Sequence, residues 1–215
     1  MHIHALLRGC LIGLLVVTLV EAPVSAAPAS PLGVVMQAQH ARLGTSEAAQ
    51  GATVFNGDNL ATELTGNLCV HVRGTQIYLL ANTSVSLGEI PGGISAALQR
   101  GTFAFSSSGN EAVQVRASQA LIQSRAGRPV YGRVTVVGPN ELEIASYRGE
   151  MDVAVGDETH VVSENSAYRV LLEPSAQGQP PSKAGRARFI WIVLVGIAVG
   201  TGIGIWRALI SPSRI

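Results

Sequence analysis

The stretch NGDNLATELTGNLCVHVRGTQIYL, from Asn56 to Leu79, decides how the rest of the chain is read. Leu68, Val70 and Val72 alternate with Cys69, His71 and Arg73, and turn pairs interrupt the run at Gly57-Asp58, Gly66-Asn67 and Arg73-Gly74. Period two with one apolar face is the pattern of a half-buried antiparallel strand. Gly, Asn and Asp punctuate it because they tolerate positive φ. Both signals continue outward. Phe103 and Phe105 flank Ala104, Val113 and Val115 flank Gln114, and Val134 and Val136 flank Thr135. Leu142 and Ile144, then Met151, Val153 and Val155, then Tyr168, Val170 and Leu172 keep the alternation, with turn pairs at Arg100-Gly101, Gly109-Asn110, Gly138-Pro139-Asn140, Arg148-Gly149 and Gly156-Asp157. The only helix candidates in this part are the short TSEAAQ and GGISAAL. The expected class is all-β, an antiparallel meander of short strands in a sandwich- or solenoid-like domain over 31–172.

The two ends of the chain carry a different signal. Arg8 precedes the apolar run CLIGLLVVTLV, Cys10 to Val20, and small residues stand at Val24 and Ala26. That order fits a secretory signal over 1–26 cut after Ala26, with an uncleaved anchor as the alternative. Cys10 opens the run instead of closing it, so no lipidated cysteine is expected. FIWIVLVGIAVGTGIGIW, Phe189 to Trp206, is 18 residues without a charge. At 1.5 Å per residue it reaches about 27 Å, and the following RALI extends it, so a transmembrane helix is expected over 189–210. Trp191 and Trp206 lie near its ends, where amphipathic rings prefer to sit. Residues 173–188 are rich in Pro, Gly, Ser and Gln and read as a linker.

Lys183, Arg186 and Arg188 before the apolar run weakly outnumber Arg207 and Arg214 after it, but the leading signal sets the expected topology. The chain should be a single-pass inner-membrane protein with its β domain in the periplasm and 211–215 in the cytoplasm. Gly196, Gly200 and Gly204 recur every four residues and would line one side of the helix, a spacing that permits self-association. The alternative is that glycine is simply common in membrane helices.

Within the opening stretch and beyond it, ATVFNGDNLATELTGNLCVHVRGTQIYLLANTSVSL resembles the core of a FecR-like domain. The motif order is carried by the turns and corners Gly57, Asp58, Thr62, Gly66, Gly74, Asn82 and Thr83. LQRGTFAF resembles the family's arginine-glycine strand, and YRGEMDVAVGDETHVVSENSAYRV its closing repeat, so the likeness covers roughly residues 33–170. It implies a periplasmic β domain in a signalling lineage. Usual members carry a cytoplasmic segment that holds a sigma factor. Here a secretion signal stands in that place and the membrane helix comes last, so the likeness implies the domain without that output.

Composition and the census of reactive residues bound the function. Fifteen basic residues against fourteen acidic ones leave a net charge of +1, which supplies no electrostatic footprint for nucleic acid. His2, His4, His40, His71 and His160 show no metal-ligand spacing. His71 falls on the expected wet face with Cys69 and Arg73. Cys69 is the only thiol left after cleavage and reads as a half-buried structural residue. No Gly-x-Ser-x-Gly elbow occurs, and the paired Glu141 and Glu143 fit a solvated edge better than an acid–base pair. The expected protein is no enzyme and has no cofactor. It reads as a membrane-tethered periplasmic module that binds protein or glycan, with a truncated FecR-type relay to a separate membrane partner as the alternative.

Overall fold

Strands dominate because apolar side chains recur at every second residue and turn residues cut the runs before a helix could form. The computed structural model describes residues 30–125, 127–172 and 190–193, and these hold fifteen strands and no helix. They are β1 (Pro31–Leu43), β2 (Ser46–Glu47), β3 (Thr53–Phe55), β4 (Asn59–Val72), β5 (Thr75–Leu79), β6 (Ser84–Ile90), β7 (Gly93–Ser107) and β8 (Ala112–Ala117). There follow β9 (Ala120–Ser124), β10 (Val130–Gly138), β11 (Glu141–Arg148), β12 (Met151–Val155), β13 (Glu158–Val162), β14 (Ser166–Leu171) and β15 (Ile190–Val193).

Three long strands, β1, β4 and β7, fold this array over on itself. The first half of β7 lies between β6 and β8, and the half beyond Gly101 lies between β5 and β10. In the same way, the start of β4 pairs with β6 and its residues 68–72 pair with β5, while β1 runs along both parts. One wing of the sheet therefore carries β13, β12, β9 and β8, and the other carries β10, β11, β14 and β15. The inward residues of both wings join one apolar cluster. The wings touch at Gly132 of β10, where a Cβ would stand 2.5 Å from Met151 Sδ of β12.

Every pairing is antiparallel except β7 with β8. β7 ends in one wing and its short connection leads β8 into the other, beside the beginning of β7. A connection that changes wing instead of reversing within one makes the pair parallel.

The alternation read from the sequence is the one the fold uses. Leu68, Val70, Val72, Ile77, Phe103, Phe105, Val113, Val115, Val134, Ile144 and Val153 are buried, and His71 is exposed. Two expectations are corrected. TSEAAQ and GGISAAL are not helices. The first contributes the short β2, and in the second Ile94, Ala96 and Leu98 face the core at period two as part of β7. Glu141 and Glu143 do not sit on a solvated edge, because β11 is enclosed by β10 and β14. Ile190–Val193 pairs as a strand with β14. Ile, Trp and Val favour strands, and β14 would otherwise present a bare edge on that side. The rest of 189–210, with Gly196, Gly200 and Gly204, lies outside the described residues, as do 1–26 and 173–188.

Candidate interaction surface

The motif residues gather at the bend of the long strands. Thr62 of β4 and Thr83, just before β6, are buried, at 3% and 0% exposure. Thr83 N donates to Thr62 Oγ1 at 2.9 Å, Thr83 Oγ1 donates to the Thr102 carbonyl at 3.1 Å, and Thr102 N donates back to Thr83 Oγ1 at 2.9 Å. Thr62 Oγ1 in turn donates to the Leu80 carbonyl. Asn82 adopts a φ of 54°, which asparagine tolerates better than most residues, and Gly101 one of 81°. These bonds satisfy backbone groups that a bent sheet would otherwise leave bare. Gly66 fits beneath β1, since a Cβ there would collide with the His40 carbonyl.

Gly57 and Asp58 act elsewhere. Asp58 Oδ2 accepts the Phe55 amide at 2.7 Å within the β3–β4 turn, and Gly57 N donates to the Leu87 carbonyl at 2.8 Å, tying that turn to β6. Gly74 completes the turn after Arg73, whose φ is 50°. Thr62, Asn82 and Thr83 are thus brought together with Gly66 near the bend, whereas Gly57, Asp58 and Gly74 serve separate turns. All seven serve the backbone, and none of them presents a reactive group.

The outward face of the β5–β7–β10–β11 wing is different. Inward-facing Ile77 and Leu79 turn Tyr78 out, Val130 and Val134 turn Tyr131 and Arg133 out, and Leu142 and Ile144 turn Glu143 and Tyr147 out. The chain has four tyrosines, and three of them share this face. Tyr131 and Tyr147 stack with centroids 4.7 Å apart and planes 24° from parallel. The Arg133 guanidinium lies 5.7 Å over the Tyr147 ring, and its Nη2 donates to Glu143 Oε1 at 2.8 Å. Arg133 Nε is buried with no hydrogen-bond partner among the described residues. Beside this group, Arg169 Nε lies 3.2 Å from Glu141 Oε1 as an ion pair. Ala104 and Ala145 stand between the larger side chains, and their small size leaves room for those to lie along the sheet.

Burial pushes the Tyr78 hydroxyl up to about 12, with Cys69 beside it adding to the effect, and it raises the Cys69 thiol as well. Burial likewise raises Tyr147, against the opposing pull of Arg133. The folded state therefore holds Tyr78 neutral where an unfolded chain would ionise it near pH 10. That contribution is complete below about pH 10 and is lost as pH rises from there towards about 12. The melting temperature of the parent chain should fall more steeply over that window than that of Tyr78→Phe. Equal slopes would show that the hydroxyl is not held by its surroundings.

Sequence reasoning missed this face because the tyrosines stand far apart in the chain. The signal available was a large aromatic at the polar phase of three alternating strands. Among the described residues, no three His, Cys, Asp or Glu side chains gather closely enough to hold a metal ion.

No protein-family model and no curated protein matches the sequence. Two crystal structures described as a "putative anti-sigma factor" from Parabacteroides distasonis are similar in outline, with a TM-score of 0.47 and identities of 12% and 11%. Each alignment covers 63% of this chain and 59% of that one.

Proposed function

We propose that the chain is a non-catalytic binding module of the bacterial envelope, tethered to the inner membrane with its β domain in the periplasm, and that it engages a protein or glycan partner through the Tyr78–Tyr131–Arg133–Tyr147 face. The observation that carries the reading is the stacked tyrosine pair capped by Arg133, a group the core does not need. Tyrosine and arginine offer large contact area and directional hydrogen bonds, and both are enriched among the residues that dominate interface energetics. The sheet beneath supplies rigidity.

A photo-cross-linking residue placed at Tyr147 in the full chain should trap a discrete partner in cells, and the same residue at Gln114, on the other wing, should not. Equal labelling from both positions would remove this face from consideration. A relay of the FecR type is the second reading, favoured by the motif order around Thr62 and Thr83. It requires the trapped partner to be a membrane signalling protein.

The membrane half of the proposal is tested separately. A reporter active only outside the cytoplasm should work when fused at Glu173 and be silent after Ile215. The reverse pattern would overturn the topology.

A further inference from the structure

Resting on that reading, we infer that the tyrosine face continues into a cleft that recognises an acidic segment of a protein partner. The cleft, of about 600 Å³, opens at the end of the sandwich where the loop before β10 meets the loops after β11 and β13. It begins one residue beyond the stacked pair on both strands. Val130 lines it next to Tyr131, and Arg148 lines it next to Tyr147.

Its charges are unevenly matched. Arg125 is spent on Glu150 and Asp152, with Nη2 2.8 Å from Asp152 Oδ1. Glu164 accepts the Gly149 amide at 3.2 Å. Arg128 and Arg148 are exposed and make no ion pair among the described residues. Their loops abut, since a Cβ at Gly149 would stand 2.7 Å from the Pro129 carbonyl. Two free guanidiniums on abutting loops suit carboxylates, which they can bind in a forked geometry.

Ring geometry separates a peptide from a sugar. Tyr147 already stacks on Tyr131 and carries the Arg133 guanidinium over its ring, and its hydroxyl is the polar group it can offer a ligand. A sugar ring would need an open aromatic face to stack on. A peptide can use edges and hydroxyls.

The test uses the full chain in detergent micelles and fluorescein-labelled peptides of five Glu-Gly repeats or five Gln-Gly repeats, read by fluorescence anisotropy. The glutamate peptide should bind at least about tenfold more tightly than the glutamine one, a difference of about 1.4 kcal/mol, and should weaken as salt rises. Arg128→Ala with Arg148→Ala should lose about tenfold, while Arg100→Ala, exposed on another part of the molecule, should bind like the parent. No binding of the glutamate peptide, equal binding of the two peptides, or full affinity in the double variant overturns the inference. So does tighter binding of an oligogalacturonate than of the peptide, which would make the ligand an acidic glycan. These outcomes turn on charge. The binding face itself stands or falls with cross-linking at Tyr147.

Discussion

Val70→Asp should abolish cooperative folding of the domain. Val70 is 0% exposed near the end of β4, paired with Val35 on one side and Ile77 on the other. A carboxylate there would enter an apolar layer that offers it neither water nor a cation. Burying such a group without a partner costs several kcal/mol, comparable with the whole stability of an ordinary domain. His71 is the internal control, because it is next in sequence and exposed on the opposite face. His71→Ala should cost less than about 0.5 kcal/mol. Thermal melting followed by circular dichroism reads both. Similar losses for the two variants would mean that the inward and outward faces of β4 have been exchanged.

The second large effect is expected at Gly101. This residue sits at the bend of β7 with a φ of 81°, where a side chain is strained whatever the space around it. There is also no space, since a Cβ would stand 2.5 Å from the Asn82 carbonyl and 2.5 Å from Thr83 Cα. Backbone strain of this kind costs about 1–3 kcal/mol, and the clash with main-chain atoms adds to it because those atoms belong to the threonine bend. Gly101→Val should therefore lower the denaturation midpoint by an amount equivalent to more than about 3 kcal/mol. Gly44 has a φ of 60° and nothing within 4 Å of where a Cβ would stand, so Gly44→Ala should show the conformational cost alone. If both substitutions cost the same, close packing at the bend contributes nothing.

Both predictions start from features visible in the chain as written, but they differ in how much of their reason is visible there. Alternation alone puts Val70 inside, because a strand sends successive side chains to opposite faces whatever it pairs with. The glycine of an arginine-glycine pair reads only as a turn. In the structure Gly101 lies within a strand of fifteen residues and marks where that strand passes from one wing to the other. The need for glycine comes from Thr83, which is distant in the chain and arrives only when β6 and β7 pair.

The same division runs through the whole protein. Composition, the period of two and the spacing of glycine, asparagine and aspartate determined an all-β domain, about half of its turns and much of its core, because these follow from local sterics and from each side chain's preference for water or oil. Pairing order was decided only in three dimensions. The parallel contact of β7 with β8 and the enclosure of β11 depend on which strands meet after the sheet folds over. The tyrosine face belongs to this second class. Tyr78, Tyr131 and Tyr147 each occupy an ordinary polar phase in separate strands. They become one face because β7 sits between β5 and β10 and carries small residues where the rings need room.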